Sequence, residues 1–227
     1  MAQLKRQHAE REAFSRRLIE SQENERKRIA AELHDGLGQN LLIVKNWALV
    51  GLNSLALDNP AREHLNEISE TTSLALDEVR EIAHNLRPYQ LERLGLTSAI
   101  EHMIGHVKNS SDIEFIAEID NIDGLLSKDS EINLYRVVQE CVNNVLKHSA
   151  AASAWLSIKR TAGGAQIICR DDGRGFNPEA SSRRGGTGLI GMAERVRILG
   201  GTYTIESAPG KGATVRVTIG RDRQWID

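Results

Sequence analysis

Residues 130–148, SEINLYRVVQECVNNVLKH, form a strongly amphipathic stretch with helical periodicity. On such a helix Glu140 and Asn144, at i and i+4, share one face, and Lys147 and His148 follow one turn later. A carboxylate, an amide oxygen and positive charge gathered on one face suit a divalent cation, which takes hard oxygen ligands, together with a phosphorylated ligand. A solvated helix surface can carry the same residues, so the flanking sequence must decide.

Downstream, residues 154–159, 165–169, 202–207 and 213–219 read as strands, with a helix over 187–199 among them. Upstream, residues 96–107 read as a helix and 113–119 alternate like a strand. This order predicts an α+β sandwich that starts near residue 91. Most of its glycine falls between Gly163 and Gly212, where backbone must turn tightly or approach a ligand. Asp171-Asp172-Gly173-Arg174-Gly175-Phe176 follows an apolar strand, and a carboxylate there can accept a hydrogen bond from an adenine amino group. Gly185-Gly186-Thr187-Gly188-Leu189 leads straight into a helix, offering backbone N–H groups and a positive dipole end to phosphate. Gly210-Lys211-Gly212-Ala213-Thr214 opens the last strand.

The first 90 residues have a different texture. From Leu4 to about Leu57 there is no proline and little glycine, which predicts one long helix with a solvated, charged first part. Leu33, Leu37, Leu41, Val44, Ala48, Leu52 and Leu55 recur at steps of three and four as an apolar stripe. Asp58-Asn59-Pro60 breaks the helix, and Pro60 can open the next one. Leu65, Ile68, Thr72, Ala75, Val79, Ile82 and Leu86 then repeat the pattern up to Pro88. The result is a helical hairpin, and pairing two hairpins into a four-helix bundle would bury the remaining stripe, so a homodimer is expected. Within the first helix, His34 stands beside Asp35, with Gln39 one helical turn after Asp35 on the same face.

Bulk properties exclude several classes. The 227 residues hold 29 Lys plus Arg against 31 Asp plus Glu, a net charge of -2, so no global field draws the chain to nucleic acid. The two cysteines, Cys141 and Cys169, lack metal-ligand spacing and read as core thiols, and with no signal peptide they point to a reducing, cytoplasmic setting. Residues 41–57 are the nearest approach to a membrane span, but Lys45, Asn46 and Asn53 interrupt them. Any membrane anchor is therefore expected upstream of this chain.

The four glycine- and asparagine-bearing segments, in this order and spacing, resemble the N, G1, G2 and G3 boxes of the histidine-kinase and GHKL ATP-binding fold. The stretch Glu25 to Gln39 resembles the phosphoacceptor box of sensor histidine kinases of the nitrate-sensor and membrane-fluidity-sensor class. Leu86-Arg87-Pro88 and Leu94-Gly95-Leu96 extend that match. The resemblance implies a signalling helix over 1–24, a dimerisation and phosphotransfer domain over 25–90, an ATP-binding domain over 91–220 and a polar tail over 221–227. It implies that Asn144 binds Mg²⁺ with Glu140, that Lys147 and His148 contact phosphate, and that Asp171 reads adenine. Gly173, Gly175, Gly186, Thr187, Gly188, Leu189 and Thr214 would shape the pocket.

A neutral imidazole nitrogen is nucleophilic, so the resemblance implies that His34 takes the γ-phosphoryl group of ATP while Asp35 accepts its proton. The phosphoryl group would pass to an aspartate in the receiver domain of a response regulator with helix-turn-helix output. Asp35 and Gln39 would also serve in dephosphorylating that regulator. Arg87-Pro88 reads as a hinge and 173–186 as a short lid over the nucleotide. Two other readings share the ATP boxes: a GHKL hydrolase in which Glu140 activates water, and a non-catalytic dimeric interaction module.

Overall fold

The computed structural model describes residues 2–86, 89–178 and 187–221, and the chain divides into two compact units, Met1–Tyr89 and Gln90–Asp227. The Arg87-Pro88 hinge, Gly186 and most of the predicted tail and lid lie outside the described residues.

The first unit is entirely helical. Helix α1 (Ala2–Glu32) passes into a π-helical turn (Leu33–Gly38) and on without a break into α2 (Gln39–Ser54). Helix α2 ends at Ser54, three residues before the expected Leu57, because Leu55 turns to extended backbone and Leu57 finds no cover, being 89% exposed. Helix α3 (Ala61–Leu86) starts one residue after Pro60. The Asn59 side-chain oxygen accepts the Ala61 N–H at 2.9 Å, satisfying one of the unpaired donors of the first turn. Arg62 then reaches back to the carbonyls of Leu52 and Leu55, the latter at 3.0 Å, which closes the end of α2.

The hairpin seam is narrower than the sequence stripe. Ala48 and Leu52 on α2 and Thr72, Leu76 and Val79 on α3 are buried, and Gly51 allows Leu65 to approach the α2 backbone. Leu37, Val44, Ile68 and Ile82 of the stripe are exposed instead, together with Trp47, Val50 and Leu74. Two helices cover only the facing edge of each other's apolar surface. Helix α1 packs on α3, with Ile19 and Ala30 buried. No helix among the described residues is long and apolar enough to cross a membrane.

The second unit has two layers. After the short α4 (Tyr89–Leu94), α5 (Leu96–Ser110), α6 (Lys128–Asn144) and α7 (Thr187–Ile198) cover one face of a five-stranded sheet. The strands are β1 (Glu114–Ile119), β2 (Ser153–Thr161), β3 (Gly164–Asp171), β4 (Thr202–Ser207) and β5 (Ala213–Gly220), in the order β1-β2-β3-β5-β4. Only β1–β2 is parallel; the other pairs are antiparallel. The architecture is the α+β sandwich expected from the sequence. Alternation places Leu156, Ile158, Ile167, Val217 and Ile219 under the helices. On the opposite face Arg170 lies over the Trp155 ring at 5.5 Å and Lys159 pairs with Glu118 at 3.2 Å.

Helix α5 is started from a distance. Gly95 enters it at φ 86, against the Asp123 carboxylate, which accepts the Thr97 N–H at 3.0 Å. Thr97 Oγ1 accepts the Ile122 N–H in return, also at 3.0 Å. A residue 26 positions away thus does the work of an N-cap.

Helix α6 holds the unit together, with Leu134, Tyr135, Val137 and Val138 each 0% exposed between the sheet and its neighbours. Replacing Leu134 by Ala is expected to destabilise this unit by about 2–5 kcal/mol, through lost burial and the cavity left behind. Urea denaturation followed by circular dichroism measures it, and a loss below about 1 kcal/mol would contradict this packing.

Candidate functional site

Helix α6 carries the predicted pair: Glu140 and Asn144 are half-buried on successive turns. Beyond Asn144 the helix widens into a second π-helical turn, Val145–Ser149, in which Val145 and Ser149 are buried while Lys147 and His148 are exposed. The turn stops at Ala150, a left-handed residue at φ 50. Ser149 fixes it from inside: its hydroxyl donates to the Val145 carbonyl at 2.6 Å and accepts the Ala151 N–H at 3.0 Å.

The loop after β3 is fastened to this turn. Asp171 is 8% exposed and accepts the Gly173 N–H through Oδ1 at 2.9 Å, which leaves Oδ2 available to an outside donor. Asp172 faces the other way, and its Oδ1 accepts the N–H groups of Ala152 and Ser153, each at 2.9 Å. The Arg174 N–H donates to the Ser149 carbonyl at 2.8 Å, and its Nε donates to the His148 carbonyl at 2.6 Å. The loop before β5 joins the same cluster: Gly210 N–H donates to Arg174 O at 2.6 Å and Gly212 N–H to Gly173 O at 2.8 Å. A side chain at Gly173 would lie 2.3 Å from the Ser149 carbonyl oxygen, and one at Gly212, where φ is 67, would lie 2.1 Å from that of Asp171. Both positions therefore need glycine for close backbone approach.

Thr187 opens helix α7, and Gly188 lies against α6: a Cβ there would stand 2.0 Å from Glu140 Oε1. The loop after β3 thus meets the end of α6 at His148 and Ser149, the loop before β5 joins it there, and Gly188, in the described end of the remaining motif, meets α6 at Glu140. Leu189 packs against the core. Gly175, at φ 57, packs against the carbonyl of Ala208.

Thr214 corrects the sequence expectation. It alternates with buried Val215 and Val217, and in register it pairs with Arg170 and Glu206, so it lies on the sheet face opposite the helices. The residue across from Asp171 is Ala213. Strand periodicity of two makes the difference, since adjacent residues serve opposite faces.

Beneath the cluster, Cys141 and Cys169 are buried free thiols, and Cys141 Sγ lies 3.5 Å from Met192 Sδ. The neighbouring Cys169 and burial push the Cys141 thiol well up, so it stays protonated and inert. Burial likewise raises the Tyr203 hydroxyl above its ordinary range, and that hydroxyl has no hydrogen-bond partner among the described residues.

In the helical unit, His34, Asp35 and Gln39 are all exposed. His34 and Asp35 lie inside the first π turn, and no hydrogen bond joins them. The π turn changes the phase the sequence suggested: with i→i+5 bonding, the four-residue step from Asp35 to Gln39 falls short of a full turn. Just upstream, Arg28 binds Glu25 through Nε at 3.0 Å and Nη2 at 2.6 Å and also pairs with Glu32. These hydrogen bonds hold the exposed Glu25 carboxyl below its usual range.

Sequence reasoning missed both π turns and the roles of Ser149, Asp172 and Arg174. Asp172 and Arg174 sit inside a quoted motif, but their partners are 19 to 26 residues away, beyond any local pattern. Among the described residues no three His, Cys, Asp or Glu groups converge on a possible metal. Glu140 and Asn144 supply two oxygen donors on one face, which fits a Mg²⁺ ion that completes its shell with phosphate oxygens and water.

Comparison with known proteins gives a concordant picture. Residues 25–91 match the family model described as "Histidine kinase", and residues 129–223 match that of the histidine kinase-, DNA gyrase B- and HSP90-like ATPases. The chain is 34% identical over 199 residues to sensor histidine kinase MctS of Rhizobium johnstonii, covering 86% of this chain and 43% of that protein. It is 34% identical over 226 residues to the signal transduction histidine-protein kinase/phosphatase UhpB of Salmonella typhimurium, covering 98% and 44%. The chain spans less than half the length of these relatives. The histidine kinase domain of the blue-light activated kinase of Erythrobacter litoralis EL346 superposes with a TM-score of 0.53 at 16% identity, over 82% of this chain and 96% of that one, which supports the fold.

The two contact glycines should respond oppositely to alanine. Gly212→Ala places a side chain against rigid backbone at positive φ and is expected to cost about 1–3 kcal/mol. Gly188→Ala meets only the movable end of Glu140, inside a helix that favours Ala, and should change stability by less than about 1 kcal/mol. Thermal melts of the two variants test this, and equal losses would contradict it.

Proposed function

Because the chain belongs to the histidine kinase family, within the class of two-component sensor kinases, we propose that it is an ATP-dependent kinase core that phosphorylates its own His34. The observation that carries this reading is the pairing of an exposed His34-Asp35 in a π turn with an assembled nucleotide cluster in the second unit. Local widening of a helix is a feature that recurs at functional sites.

In this reading Asp171 Oδ2 accepts the adenine amino group, while Asn144 with Glu140 hold Mg²⁺, and Lys147 and His148 face the phosphates. Mg²⁺, when bound, would neutralise phosphate charge, leaving the attacking nitrogen and the departing bridging oxygen free to lie in line. His34 attacks through the lone pair of one ring nitrogen; the bond from the γ-phosphorus to the bridging oxygen breaks and ADP leaves. Asp35 takes the proton from the other ring nitrogen, which requires a side-chain rotation because adjacent helix residues diverge. Exposure of His34 fits a group that must reach first a nucleotide and then a partner protein.

The phosphoryl group would then pass to an aspartate of a response-regulator receiver domain, whose output we take to be helix-turn-helix. Gln39 would orient water for the reverse, dephosphorylating direction. The exposed apolar residues Trp47, Val50, Leu74 and Ile82 support a homodimeric four-helix bundle built from two hairpins. We take the site of action to be cytoplasmic.

Incubation with γ-labelled ATP and Mg²⁺ should put acid-labile label on the wild type and none on His34→Gln. ATP turnover that persists in His34→Gln without any labelled protein would favour the hydrolase reading, with Glu140 activating water. Gln39→Ala should keep autophosphorylation within about twofold while slowing loss of label from a phosphorylated receiver domain by at least about tenfold, less than the roughly 10²–10⁴-fold of a group that itself transfers the proton, because Gln39 only orients the water. Equal loss of both activities would remove Gln39 from that role.

A further inference from the structure

Lys147 and His148 are exposed, and no side-chain bond among the described residues holds either one. Their placement therefore depends on the backbone of the π turn that carries them. The last carbonyls of a helix have no partner within it, and a turn that ends on a left-handed residue must satisfy them elsewhere. Here the left-handed residue is Ala150, and the carbonyls of His148 and Ser149 are both taken by one residue, Arg174.

We infer that Arg174 is a positioning residue for the phosphate end of the nucleotide site, acting through Lys147 and His148. Its Nε holds the His148 carbonyl at 2.6 Å, its N–H holds the Ser149 carbonyl at 2.8 Å, and its own carbonyl takes the Gly210 N–H at 2.6 Å. One residue thereby ties the end of α6 to both glycine loops. The side-chain bond is the one that substitution can remove, because the other two are made by backbone. The guanidinium suits this role better than an ammonium, since a planar Nε–H is aimed by the fork and keeps its direction. Adenine, by contrast, would be read by Asp171, whose geometry is set by Gly173 and does not use the Arg174 side chain.

This inference rests on reading the second unit as a nucleotide site. It separates from a plain helix-capping role, because a cap would affect stability and every ligand alike. The test uses the 227-residue chain with Mg²⁺ and two probes, the β,γ-imido analogue of ATP and adenosine, measured by calorimetry alongside thermal melts. Arg174→Met should weaken the analogue about tenfold, a loss of about 1.4 kcal/mol, and adenosine less than about twofold. Arg174→Lys should weaken the analogue nearly as much, and it carries the comparison if Arg174→Met melts below the assay temperature. Adding Lys147→Ala to Arg174→Met should weaken binding little further, since the arginine acts through that lysine. Equal weakening of both probes, unchanged affinity for the analogue, or losses that multiply in the double variant would overturn the inference while leaving the nucleotide site standing. A wild type that binds neither probe would overturn both.

Discussion

The carbonyls at the end of helix α6 are the constraint on which the second unit depends. A helix that delivers Glu140, Asn144, Lys147 and His148 to one place must stop there, and its last carbonyls must be bonded. The chain meets this with a π turn, a left-handed Ala150 and the backbone and side chain of Arg174. Gly173 and Gly212 lack side chains where those strands of backbone touch. The glycine loops are thus first a way to bring backbone to backbone.

The same logic separates two neighbouring acids. Asp171 ends β3 on the core face, so its carboxylate is buried beside the cluster with one oxygen committed to Gly173. Asp172 points the other way and secures the start of β2 through two backbone N–H groups. One carboxylate is tied to its own loop and the next anchors the strand that follows the π turn. Charge alone would not distinguish them; strand periodicity does.

The helical unit depends on a different balance. Its seam of Ala48, Leu52, Thr72, Leu76 and Val79 is enough to pair two helices, and much apolar surface remains uncovered. The π turn at Leu33–Gly38 sits in the middle of an otherwise unbroken helical run, where a histidine and an acid are presented to solvent. Both π turns in the described chain therefore fall on residues to which the proposed function assigns the chemistry. At Leu33–Gly38 the widened turn changes side-chain directions without ending the helix.

Much was legible before any coordinates. The hairpin, the five strands, the three main helices of the second unit and the position of Glu140 and Asn144 follow from periodicity, because burial on one face imposes a period of 3.6 or 2 on the sequence itself. His34-Asp35 and the glycine motifs were legible as short-range patterns. Other features were decided only by tertiary structure: the end of α2 at Ser54, the exposure of Val44 and Ile82, the outward face of Thr214 and the bonds from Arg174 and Asp172 to residues 19 to 26 positions away. Periodicity records which side of an element is apolar. It carries no record of how much of that side a neighbour covers, nor of which distant carbonyl a side chain will meet when two loops close on one helix end.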